Sequence, residues 1–176
     1  MKDGEQAEVE KGAEATPPAN VDPRLRSDYC VFVRGGVTFA LSTHVAREVL
    51  DARAFTPVPE SPPELLGAFN LRGEVIPLVC FDRFLAVPPR DHERGDPLLL
   101  LSHGELCFAA IVDQVVTIKH IPPWEMQRAD AAQRERNALV RGTVGKDDQQ
   151  VLILDGERLL AAVAHEIASG FRRRTA

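Results

Sequence analysis

Short runs of β-branched and aromatic residues recur along this chain, separated by turns that contain Gly or Pro. Tyr29 to Val33 is a predicted strand, Gly35-Gly36 a hairpin turn, and Val37 to Leu41 the returning strand. Ser42 or Thr43 is then placed to cap a short helix through Leu50. On such a helix Val45 and Val49 share a face, with Glu48 at its edge. The prolines between Thr56 and Pro63 require an extended, irregular path. Asn70-Leu71-Arg72-Gly73 ends a strand in a tight turn, Glu74 to Val79 is the next strand, and Asp82 to Leu85 is a short helical piece. Residues 86–96 are polar and read as a linker.

The same order then returns. Pro97 to Leu101 is a predicted strand, His103-Gly104 a turn, and Glu105 to Val112 a strand. A shift of 69 positions aligns Phe39-Ala40 with Phe108-Ala109 and Arg72-Gly73 with Arg141-Gly142. A shift of 75 aligns Arg83-Phe84-Leu85 with Arg158-Leu159-Leu160, which places a modest insertion near residues 145–150. Matches in one order at nearly one offset indicate a duplication. Many short strands with Gly and Pro turns indicate a pair of small barrels, each marginal alone and therefore packed on the other, with a groove between them. At the C-terminal end Leu160, Val163, Ala164 and Ile167 follow helical spacing, so a helix is expected to cover apolar barrel surface.

Composition and charge add to this picture. Residues 1–27 carry charge, Pro and Ala with hardly any large apolar side chain, which predicts a disordered acidic tail. Aromatics are only 6% of the chain, so the core rests on Val, Leu, Ile and Ala. The net charge of -5 disfavours nucleic acid as a partner, because phosphate binding needs a dense basic surface. No apolar run is long enough for a membrane span. Cys30, Cys80 and Cys107 lie in apolar runs without CxxC spacing, which suggests reduced thiols in a cytoplasmic protein.

Reaction chemistry is not signalled. The five histidines do not stand at zinc-ligand spacing, and nucleophile-elbow, P-loop and dinucleotide motifs are missing. Asp147-Asp148 fits an exposed turn and Asp155 a helix N-cap. No cofactor, metal or catalytic residue is expected.

The ordered set Phe39-Ala40-Leu41, Val45, Glu48-Val49-Leu50, Thr56 to Pro59, and Asn70-Leu71-Arg72-Gly73 followed by Val75-Ile76-Pro77-Leu78 resembles the CheW-type coupling proteins of bacterial chemosensory systems. Val112-Asp113, Val140-Arg141-Gly142, Leu152 to Asp155 and Arg158-Leu159-Leu160 continue the resemblance, which covers Tyr29 to about Ala168. It implies a mainly β fold of two packed, five-stranded, SH3-like barrels with short helices and a C-terminal helix. The boundaries expected on that basis are a first barrel at 37–96 and a second at 97–155, with 28–36 and 156–176 packing across them. It also implies a non-enzymatic adaptor that binds the regulatory domain of a CheA-type histidine kinase and the cytoplasmic tip of methyl-accepting receptors. Val45, Glu48, Val49, Asn70 and Arg72 are the partner-binding candidates, with Glu48 and Arg72 expected to pair. Three positions depart from the family pattern: Cys80 where Asp is usual, Asp82 where a basic residue is common, and Gly156 where an apolar residue is usual. Two other readings remain, a receptor-independent kinase adaptor or decoy, and a small ligand-binding or enzymatic barrel.

Overall fold

Each short apolar run becomes, once paired, a strand with a buried side and an outward side. The computed structural model describes residues 27–91, 95–146 and 149–174; the expected tail, save the backbone at 27, and the turn at 147–148 lie outside them. The strands are β1 (Ser27–Arg34), β2 (Val37–Ser42), β3 (Ala46–Leu50), β4 (Leu65–Leu71), β5 (Glu74–Val79), β6 (Leu98–His103), β7 (Leu106–Ile111), β8 (Gln114–Ile121), β9 (Gln127–Arg128), β10 (Val140–Val144) and β11 (Val151–Leu154). The helices are α1 (Asp82–Leu85), α2 (Ala131–Arg136) and α3 (Gly156–Arg174). A six-stranded sheet runs β8-β1-β2-β11-β10-β9 and a five-stranded sheet runs β3-β6-β7-β5-β4. The fold is therefore mainly β, in two packed sheets with a C-terminal helix, as expected.

The duplication is visible in the hydrogen-bond register. Leu78 pairs with Ala109 in the parallel contact of β5 with β7, and Ile153 pairs with Ala40 in that of β11 with β2. The shift of 69 relates Ala40 to Ala109, and the shift of 75 relates Leu78 to Ile153. The bulges repeat as well. Arg47 is the extra residue where β3 meets β6, as Val116 is where β8 meets β1. Leu66 is the extra residue in β4, as Arg141 is in β10. Gly67 and Gly142, each next to its bulge, stand so close to a neighbouring carbonyl that a Cβ would lie 2.5 Å from Thr56 O in one and 2.7 Å from Gln127 O in the other.

Three expectations need correction. Residues 43–50 form no helix; Ala46–Leu50 is a strand whose partner is the Leu98–Leu101 run. A spacing of four apolar positions fits a helix, but it also fits a strand interrupted by a bulge, and the distant pairing decides. The barrels do not follow the halves. The five-stranded sheet uses β3 to β7, whereas β1 and β2 join β8 to β11, because each half gives its β1-like hairpin to the other's β5-like strand. The insertion does not lie at 145–150, since the hairpin there matches the one at 70–75 in length; it falls between β8 and β10, where the 6-residue α2 stands. Arg141-Gly142 thus corresponds to Leu66-Gly67 and not to Arg72-Gly73.

Phe69, Ile76, Leu98 and Ile111 belong to a core cluster of the five-stranded sheet, and Tyr29, Val31, Ala40 and Ile153 to one of the six-stranded sheet. The largest cluster joins the two sheets to α3 through Phe32, Phe39, Leu101, Leu159, Leu160 and Val163. These three α3 residues are fully buried; of the positions picked out by helical spacing, Leu160 and Val163 are among them, while Ala164 and Ile167 pack on the cluster half-buried.

Candidate partner-binding surface

β4 and β5 are joined by a two-residue turn in which Arg72 and Gly73 both take positive φ, 55° and 94°. This conformation matches the right-handed twist of the flanking strands, and Gly adopts it without steric cost. The Gly73 N–H donates to Asn70 Oδ1 at 3.1 Å, which satisfies a donor the turn leaves free. The turn projects Arg72 toward Glu48, on the opposite edge strand of the sheet. The guanidinium grips the carboxylate through Nη1–Oε2 at 3.1 Å and Nη2–Oε1 at 2.8 Å. The pair thus links β3 to the β4–β5 hairpin across the two ends of the sheet. Arg72 remains 73% exposed. Val49, next to Glu48, is 47% exposed, and Val75, the register partner of Asn70, is 73% exposed.

Glu48 and Arg72 are thus brought together with Asn70 in the same turn, Val49 is exposed but alternates to the other face of β3, and Val45 is not at the surface. Val45 is buried in the central core, and a Cβ on Gly156 would meet its methyls at 3.0 Å. The departure at Gly156 is explained by that contact: the small residue makes room for Val45 and Leu41. Val45→Ala is accordingly expected to lower stability by about 1–3 kcal/mol in urea denaturation, with partner affinity of the folded protein unchanged. A loss of affinity without a loss of stability would return Val45 to the surface.

Nothing in the local pattern singles out Val75 as exposed, nor Val116 and Ile118 on β8, which are 50% and 58% exposed. The shift of 69 relates Ile118 to Val49, so both edge strands present an apolar residue at the same place in the repeat. The bulges hide this in the sequence, because they break the two-residue alternation.

A groove of about 280 Å³ opens where α1 meets the six-stranded sheet. Val37, Phe39, Val140 and Leu152 form its sheet side, residues 85–87 its other wall, and Gln133 and Arg136 of α2 part of its rim. Beside it lies a second departure, Asp82. Its carboxylate receives Arg34 Nε at 2.6 Å and Nη2 at 2.9 Å, and the Arg90 N–H at 3.2 Å. Arg34 also donates to Asp113 Oδ1 at 3.0 Å and to the Arg90 carbonyl at 3.1 Å, and the Gly35 N–H donates to Asp113 Oδ2 at 2.8 Å. Arg34 is only 2% exposed. Burial pushes the Arg34 guanidinium down, but Asp82 and Asp113 more than reverse this and hold it above its usual range. Burial likewise pushes the Asp82 carboxyl up, and the Arg34 and Arg90 hydrogen bonds outweigh it, so the group stays below the usual carboxylate range. A basic residue at position 82 would face Arg34, which accounts for the exchange of sign.

Cys30, Cys80 and Cys107 are free thiols, and burial pushes all three up, away from the reactive thiolate. Among the described residues no group of three His, Cys, Asp or Glu side chains is placed to hold a metal. No described helix is long and apolar enough to cross a membrane.

Comparison with known proteins agrees with this architecture. The chain is 25% identical over 129 residues to the chemotaxis protein CheW of Helicobacter pylori, covering 73% of this chain and 78% of that one. It is 22% identical to the CheW of Rhizobium meliloti over 135 residues, covering 76% and 87%. Its fold matches the crystal structure of the scaffolding protein TtCheW from Thermoanaerobacter tengcongensis with a TM-score of 0.65 at 22% identity, covering 74% of this chain and 89% of that one. The CheW-like domain model matches residues 28–164, and the protein belongs to the CheW-like family.

Proposed function

We propose that this protein is a non-catalytic cytoplasmic adaptor that couples methyl-accepting chemoreceptors to a CheA-type histidine kinase. The observation that carries the reading is the exposed Arg72–Glu48 ion pair at the β4–β5 turn, flanked in that hairpin by exposed Asn70 and Val75. Apolar side chains supply contact area and a fixed charge pair supplies register, the combination that a specific protein interface needs. A kinase regulatory domain of similar barrel build fits this outer face by barrel-to-barrel contact. The groove beside Val37, Phe39 and Leu152 suits an apolar receptor helix. The relatives carry the names chemotaxis protein and scaffolding protein, which supports a coupling role.

The test uses purified full-length protein. Its binding is measured separately to the regulatory domain of a CheA-type kinase and to a soluble receptor-tip fragment, both encoded in the same genome. Binding to both is expected. Binding to the kinase domain alone would make it a receptor-independent adaptor or decoy, and binding to neither would end the adaptor reading.

A further inference from the structure

Behind the 85–87 wall of the groove lies a second cavity of about 340 Å³, lined by Pro63, Cys80, Asp82 and Pro89 among others. Val87 borders both spaces. Leu85 and Val87 anchor the wall in the central apolar cluster, but such packing is non-directional, and with Val87 between two open spaces it does not by itself fix how the wall stands. Directional polar contacts act beside that packing. The Arg34 fork grips Asp82 at the start of α1, and the Arg90 carbonyl accepts from Arg34 beyond the ridge. Asn137 Nδ2 donates to the Phe84 carbonyl at 3.1 Å. Gly35 admits Val87 so closely that a Cβ there would lie 2.8 Å away.

We propose that Arg34, Asp82 and Asp113 form a positioning cluster for the groove, setting where the 85–87 wall stands against β2 and so controlling partner affinity. This rests on the groove being the receptor site. The cluster draws together the end of β1, the start of α1 and the link from β7 to β8, so it spans both sheets. A planar guanidinium binding a carboxylate through two hydrogen bonds fixes direction as well as distance, which apolar contacts do not. Replacement of a buried ion pair by apolar residues of similar size often leaves stability equal or higher. Positioning and stability are therefore separable here. A groove whose wall is held loosely recognises its partner less well even when every lining residue remains.

The experiment compares wild type with the double variant Arg34→Met, Asp82→Leu, and with Arg34→Lys, which keeps the charge but not the fork. Three quantities are read: the thermal midpoint, amide exchange at Leu85 and Val87, and affinity for the receptor-tip fragment. The double variant is expected to keep its midpoint, to exchange faster at both amides, and to bind on the order of tenfold more weakly or worse. Arg34→Lys is expected to fall between the two, and it alone is judged by the same readings if the double variant does not fold. Unchanged exchange at Leu85 and Val87 would overturn the proposal, and so would faster exchange with full affinity. A wild type that binds no receptor fragment removes the groove's function, whereas a wild type that binds beside a loosened variant of equal affinity removes only the positioning role.

Discussion

Asp82→Ala should destabilise the folded protein by about 3–5 kcal/mol, because it leaves a buried guanidinium short of its main partner. Arg34 is 2% exposed and would keep only Asp113 and the Arg90 carbonyl. Urea denaturation at neutral pH measures the effect through the midpoint at constant slope. In a thermal scan the same loss is a fall of roughly 6–20 °C for a domain of this size. A loss below about 1 kcal/mol would show that Arg34 escapes to water or rebuilds its contacts. The substitution differs in kind from the apolar double replacement, which removes both charges together. A pH series adds a second check. The Asp82 carboxyl is held below its ordinary value, so its stabilisation is present in full above the unfolded value of about 3.9 and is lost as pH falls through the folded one. Wild type should therefore lose stability on acidification more steeply than Asp82→Ala. Equal slopes would show that Asp82 titrates alike in the folded and unfolded chain.

Glu48→Arg and Arg72→Glu are each expected to weaken partner binding by on the order of 2–3 kcal/mol while the fold survives. The pair is exposed, so its own contribution to stability is only about 0–1 kcal/mol, and neither variant should melt appreciably earlier. At an interface a reversed charge meets its like across the contact and also breaks the fork that holds the β4–β5 turn against β3. The double variant Glu48→Arg, Arg72→Glu restores opposite signs and should recover part of the loss if the two side chains act through one another. Affinities for the kinase domain and the receptor fragment, measured on all four proteins, complete the cycle. Strictly additive losses would show that the two act separately, and undiminished binding by both single variants would remove them from the interface.

Glu48 and Arg72 were legible as a pair in the sequence because the family resemblance places both, although the local structure around Glu48 was not. Val45 and Val49 share a helical face only if residues 43–50 form a helix. That segment is short, and its conformation is fixed by Leu98–Leu101, about fifty positions away, so no local pattern could decide it. The same limit applies to Asp82. Its sign stood out against the family pattern, yet its meaning depends on Arg34, 48 positions earlier. Arg34 itself stood beside an ordinary hairpin glycine, and a lone arginine there reads as solvated. The repeat was legible through Phe39-Ala40 and Phe108-Ala109, but one of the three matches used to find it was coincidental. The bulges at Leu66 and Arg141, and not the shared Arg-Gly, mark equivalent sites.

The order of strands in the two sheets has a consequence for how the chain is made. Every strand of the five-stranded sheet lies within residues 46–111, an unbroken stretch, whereas the six-stranded sheet combines residues 27–42 with residues 114–154. One sheet is nested inside the sequence of the other. During synthesis the β1–β2 hairpin leaves the ribosome first, and its partners β8 and β11 follow only after the whole nested sheet has been translated. The hairpin must therefore wait for its strand partners until the nested sheet has been made, and until then Phe32 and Phe39 can be covered only by that sheet.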